Sequence, residues 1–127
     1  MSDILLKIIE NKQVDFYLGG YGNFDTFAYS CCKSLKQSNK NINLHFITPY
    51  ITLDYQTNHL KALSKDYDTI IYPQIEDKPL RYAITYRNQW MIDKADIVIA
   101  CVTRKYGGAY KTLCYAKRKG KTIYMFE

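Results

Sequence analysis

Two glycine turns carry most of the chemistry that this sequence can offer. The stretch DFYLGGYGNFDTF, Asp15 to Phe27, sets Gly19, Gly20 and Gly22, with Tyr21, Asn23 and Asp25, between a short apolar run and a helical pattern. Glycine permits positive φ and close backbone approach. A helix N-terminus adds unpaired N–H groups and a positive dipole end, which together suit a phosphate. A second turn, Tyr106-Gly107-Gly108-Ala109, also precedes a helical pattern. The spacing is not G-x-G-x-x-G, and a single glycine loop can be no more than a strand-to-helix turn. Two such turns, each at the carboxyl end of a strand, can face each other across a cleft and favour a ligand cradle.

Other residues invite specific roles. Asp25, near a helix start, is stabilised by the dipole. Beside a phosphate it would repel, so ribose hydroxyls or a base amine are its better partners. Arg87 and Asn88 lie in a helix with Trp90 and Met91. Arg87 is expected either in a surface ion pair or as a phosphate clamp, since guanidinium meets phosphate oxygens in a bidentate way. Tyr72 and Pro73 follow a short strand, a third segment where ligands bind in such folds. Thirteen tyrosines is a high count; tyrosine stacks on bases, and it also serves strands and interfaces.

The elements that must position these residues alternate. Ile4–Asn11 reads as a helix with Ile4, Leu5, Ile8 and Ile9 on one face. Val14–Gly19 reads as a strand, Asn23 to about Gln37 as a helix, Ile42–Thr48 as a strand and Leu53–Ser64 as a polar helix. Thr69–Pro73 is a short strand, and Gln74–Leu80 a loop. Arg81–Ala95 is a helix with Ile84, Trp90 and Met91 turned inward. Asp96–Val102 is a strand apolar on both faces, followed by a helix to about Lys119, a stop at Gly120 and a last strand, Lys121–Phe126. Strict β and α alternation predicts an α/β fold: one domain, residues 1–127, with a mostly parallel sheet of about five strands between two helical layers.

Composition narrows the function. No apolar run approaches the ~20 residues needed to span a bilayer. The N-terminus lacks a basic region and a cleavage site, so a cytoplasmic protein is expected. Cys31, Cys32, Cys101 and Cys114 form no C-x-x-C, and His45 and His59 stand apart. Reduced, mostly core cysteines are expected, with no metal and no cofactor. The net charge of +6 admits nucleic acid or an anionic metabolite as partner. The basic run Tyr115–Lys121 is explained by a helix C-terminus, where cations complement the dipole.

The segments FYLGGYGNFD, Tyr72-Pro73, RYAITYRNQWMIDKADIVIACVT and YGGAYKTLCYAKRKGKTIYMF resemble the SLOG superfamily (SMF/DprA and LOG), in particular its small stand-alone bacterial and phage members. The resemblance covers nearly the whole chain, and Arg81 to Phe126 is its most specific part. It implies a Rossmann-like fold binding a nucleotide-derived ligand at the glycine loops. Such proteins usually open with a strand ending in a Gly-His-Arg-like loop, whereas this chain begins at the helix that would follow. LOG enzymes resemble it in an arginine and methionine on one helix, like Arg87 and Met91, but then carry P-G-G-x-G-T-x-x-E. Here the matching loop reads YGGAYKTLC, with Leu113 or Cys114 where a catalytic glutamate would lie.

N-glycosidic cleavage needs a carboxylate, so the expectation is a binder rather than an enzyme. The ligand class implied is ADP-ribose, cyclic ADP-ribose or a related NAD metabolite. The protein would be a phage sponge in the host cytoplasm, or a sensor. Two alternatives stay open: an N-ribohydrolase or deoxyribosyltransferase using Asp25, and a DprA-like single-stranded DNA binder. A homo-oligomer, dimer or tetramer, is also expected from the short chain and its aromatic surplus.

Overall fold

Hydrophobic alternation makes Ile42–Ile47 (β2) the centre of the first half of the chain. Ile42, Leu44 and Phe46 are buried on one face at 0%, 1% and 2% exposure. In this computed structural model, residues 5, 6, 9, 12–19, 23–39 and 41–125 are described, the side chain of Asn23 aside. The chain divides into two compact units, Met1–Tyr72 and Pro73–Glu127.

In the first unit, β2 is flanked by Val14–Leu18 (β1) and Thr69–Ile71 (β3), both parallel to it. The register runs from Val14 opposite Ile42 to Leu18 opposite Phe46, and from His45 opposite Thr69 to Ile47 opposite Ile71. Helix α1, Asn23–Ser38, joins β1 to β2 and packs on both. Its buried residues Ala28 and Cys32 are four apart, the spacing of one helical face. Tyr67 closes this layer, with its ring 5.0 Å from Tyr29 and 5.3 Å from Phe46. Helix α2 starts as Leu53–Tyr55, capped by Thr52 Oγ1, which accepts from Tyr55 N. It widens into a π turn at Gln56–Leu60 and ends as Lys61–Leu63. Leu5 and Ile9, on one helical face, are buried, and Leu6 between them is exposed. Ile4 and Ile8 of the expected face lie outside the described residues.

Asp68 substitutes for a strand just before β3 begins. Its backbone N–H donates to Leu44 O at 2.8 Å, and its Oδ2 accepts from Leu44 N at 2.7 Å. Its other oxygen pairs with Lys36 in the last turn of α1. One side chain thus ties helix, central strand and edge strand together.

In the second unit a 3-10 turn, Leu80–Tyr82, leads into helix α3, Ala83–Lys94. Strand β4, Ile97–Ala100, pairs in parallel with β5, Thr122–Met125, and helix α4, Gly108–Arg118, connects them. Helix α4 packs on α3. Between them Tyr115 Oη donates to Asp93 Oδ1 at 2.8 Å, and Lys121 Nζ donates to Asp93 O at 3.4 Å. Gly120, at φ +70°, ends α4 as expected. Lys121 N donates to Ala116 O and Gly120 N to Lys117 O, the paired bonds of a Schellman stop.

The fold is mixed α/β with parallel pairing throughout, compatible with a Rossmann-like class. The sheet is smaller than expected: among the described residues the five strands form a three-stranded and a two-stranded sheet. Strand β4, apolar on both faces, is less buried than that pattern leads one to expect. Ile97 is 37% exposed, and Val98 and Ile99 are half-buried. The inward face of α3 also differs. The buried residues of this helix are Ala83 and Arg87, one turn apart, and Ile92 on a different line, while Ile84 is exposed and Trp90 and Met91 are half-buried.

Candidate functional site

The second glycine turn is the more fully described of the two. Chain leaving β4 runs through Thr103, Arg104 and Lys105, all exposed, to Tyr106, 69% exposed. Gly107 then adopts φ +91° and ψ −179° and stands as the N-cap of α4. Having no side chain, it offers no capping oxygen to the first-turn N–H groups, which point out of the helix end. Gly107 O accepts from Lys111 N at 3.0 Å, and Gly108 O from Thr112 Oγ1 at 2.9 Å, so the carbonyls are used inside the helix. A Cβ built on Gly107 or Gly108 meets nothing within 4 Å. Packing therefore does not require glycine here; backbone conformation does at Gly107. The Arg104 guanidinium lies 5.8 Å from the Tyr106 ring centroid.

Cations gather in the unit that carries this turn. The first unit holds seven Lys and Arg against seven Asp and Glu, the second eleven against five. The whole +6 therefore belongs to residues 73–127. Arg104, Lys105 and Lys111 are exposed and flank the glycines in sequence. At the far end of α4, Tyr115 is pushed up in pKa, first by desolvation and then by its hydrogen bond to Asp93. Tyr110 is also raised, by its hydrogen bond to Cys114 one turn along α4.

The remaining sequence candidates divide between the units. Gly19 is buried at the end of β1. Gly20, Tyr21 and Gly22 lie outside the described residues, and Asn23 is the first residue of α1. Asp25 stands in the first turn of α1, half-buried, as its dipole argument requires. Its charge contributes to raising Tyr67 to about 12, after burial and Tyr29. Tyr72 ends the first unit and forms part of the wall of a cavity of about 370 Å³. Pro73, buried, opens the second unit.

Arg87 corrects an expectation. It does not lie on the surface: it is 2% exposed, and its Nε donates to Asn88 Oδ1 at 2.9 Å. A buried guanidinium is retained only where its donors are met.

No family model matches this chain, and no curated protein matches it. Its chemistry is therefore read from its own residues. All four cysteines are unbridged; Cys32 is buried, and Cys31, Cys101 and Cys114 are half-buried. Burial, and then the neighbouring Cys31, pushes the Cys32 thiol up to about 12, which leaves it inert rather than nucleophilic. Among the described residues no group of three or more His, Cys, Asp or Glu is placed to hold a metal ion, and no helix is long and apolar enough to cross a membrane.

Sequence reasoning did not single out Arg104, Lys105 and Lys111. Their signal was present in the charge count, but it emerges only when charge is summed by unit.

Proposed function

We propose that this chain is a SLOG-like domain that binds a nucleotide-derived signalling molecule, of the ADP-ribose, cyclic ADP-ribose or NAD-metabolite class, and holds it intact. The observation that carries this reading is the start of α4. There an uncapped helix end of eleven residues follows a glycine in a conformation reserved for glycine, in a segment with Arg104, Lys105 and Lys111. N–H groups, dipole and cations all favour a phosphate. The nucleoside part rests on the resemblance of the sequence, not on geometry. Holding a signal without consuming it would make the protein a sponge against host defence if phage-encoded, or a sensor that reports to a partner.

Titration calorimetry with ADP-ribose tests the reading. Gly108→Val should abolish binding while the variant stays folded, because its Cβ meets no protein atom within 4 Å. Unchanged affinity in the folded variant would remove the α4 turn from the site.

Turnover decides between binder and enzyme. Hydrolysis would require a carboxylate, and Asp25, in the first turn of the helix after the first glycine turn, is the candidate. Wild type incubated with AMP, NAD or cyclic ADP-ribose should release no free base, and neither should Asp25→Asn. Release by wild type that is lost in Asp25→Asn would replace this reading with an N-ribohydrolase or transferase.

The segregation of positive charge favours a second reading, binding of single-stranded nucleic acid by the second unit. It predicts affinity that falls steeply with salt as counterions are released; absent or salt-insensitive binding would remove it. A dimer or tetramer is part of the leading proposal, and light scattering that returns a monomer with and without ADP-ribose would exclude it.

A further inference from the structure

The cavity in the first unit is lined by Thr48 and Ile51 after β2, by Gln56, Leu60 and Lys61 of α2, by Ile70 within β3 and by Tyr72 just after it, all far in sequence from the α4 turn. Its floor is apolar in effect. Thr48 is 1% exposed, and its hydroxyl is consumed in its own turn, donating to Tyr50 O at 2.8 Å and accepting from Tyr50 N at 3.2 Å. Leu60, Ile70 and Tyr72 line the same space, with Ile51 at 47% exposure. The volume, about 370 Å³, falls in the range of small-molecule sites.

Two polar groups face this space, and helix geometry explains how. Gln56 and Lys61 are five residues apart, which in an α-helix would set them about 140° from each other. The π turn changes this. Lys61 N donates to Gln56 O, an i to i+5 bond, and the wider turn brings both side chains to one wall of the cavity. Single π turns are rare and recur at functional sites. Gln56 Nε2 is pinned to Ile51 O at 2.6 Å, and its Oε1 has no hydrogen-bond partner among the described residues. No carboxylate pairs with Lys61 Nζ among the described residues. Tyr55 meets Tyr50 edge to face at 5.2 Å and lies tilted on His59 at 4.7 Å, contacts that brace the same helix.

We propose that this cavity binds a small aromatic monocarboxylic acid, its flat body against Ile51, Leu60, Ile70 and Tyr72 and its carboxylate on Lys61. One ammonium without a carboxylate partner among the described residues can meet the single charge of a monocarboxylate. Aliphatic walls and a tyrosine ring select a flat apolar body. The site is independent of the anion site proposed at α4.

The test is an NMR titration of the isotopically labelled full chain with naphthalene-2-carboxylate. Naphthalene-2-methanol supplies the body without the charge, and acetate the charge without the body. Saturable shifts are expected at the amides of Ile51, Gln56, Lys61 and Tyr72, with both controls much weaker. Lys61→Gln should weaken binding about tenfold, the size of one charged hydrogen bond. Ile51→Glu, at an exposed position that does not threaten folding, should repel the carboxylate and weaken binding similarly. Gly108→Val should leave this titration unchanged, so its failure and that of the α4 site are distinguishable. No saturation at these amides, or affinity unchanged in Lys61→Gln, would overturn the proposal. So would acetate binding as tightly as the naphthoate. Shifts of the same amides on concentrating the protein alone would identify a second copy as the occupant, and would also overturn it.

Discussion

Gly107 and Gly108 are adjacent, but they should respond to alanine in opposite ways. At φ +91° and ψ −179°, Gly107 occupies a region essentially closed to residues with a Cβ. Holding alanine there costs ~1–3 kcal/mol. None of this is steric crowding by neighbours, because the added Cβ meets nothing within 4 Å. The cost lies wholly in the residue's own backbone, and relief would require the turn after β4 to change course. Gly108 begins α4 without a positive φ and with the same open space. Alanine there exchanges a flexible residue for a good helix former, a change worth up to ~0.5–1 kcal/mol in a helix interior and less in a first turn. Urea unfolding followed by circular dichroism reads both. With a slope of ~1–3 kcal/mol/M, a ~2 kcal/mol loss moves the midpoint of Gly107→Ala down by roughly 1 M. Gly108→Ala should match or slightly exceed wild type. Equal midpoints for the two variants would show that the strained glycine at the head of α4 is not where this reasoning puts it.

The Asp68 clamp should be sensitive to acid. Lys36, and then the Leu44 N–H, hold its carboxyl below the usual carboxylate range. The stabilisation is therefore present above the unfolded value of ~3.9 and is lost as pH falls through the folded value. Asp68→Asn should cost about 1 kcal/mol at neutral pH, after allowing for solvent screening of the Lys36 pair. The gap from wild type should close in strong acid; a constant gap down to that range would contradict the clamp. At the alkaline end Tyr67 is raised from 10.0 to about 12, so its contribution is intact below pH 10 and is lost as pH rises towards 12. Tyr67→Phe should flatten the fall in stability over that window, and an unaltered slope would count against burial as the cause. Cys32, 2% exposed and pushed up to about 12, should resist an aromatic disulfide reagent at pH 8 until the protein unfolds. Quantitative native reaction of all four thiols would refute this.

Local order was legible in the sequence because its causes are local. The alternation of Ile42, Leu44 and Phe46 specified β2, Asn23 and the pattern after it specified α1, and Gly120 stopped α4 through the one conformation glycine supplies freely. The glycine turn before α4 was equally readable, since an apolar run, two glycines and a helical pattern follow one another without interruption.

What depended on distant parts of the chain was not readable. Periodicity states that β4 is a strand, but not that it pairs only with β5 among the described residues, nor what covers its faces, which decides the exposure of Ile97. Arg87 looks like a surface residue by type, and only packing decides that it is buried, as is Ala83 one turn before it on α3. Gln56 and Lys61 have no helical spacing that would join them. Their common wall exists because a π turn, stabilised in its tertiary setting against ordinary helix geometry, rotates one towards the other. Charge shows the same division: the sequence determined the sum of +6, but the boundary at Tyr72 and Pro73 decided that all of it belongs to one unit, because which residues pack together is a property of contacts rather than of order along the chain.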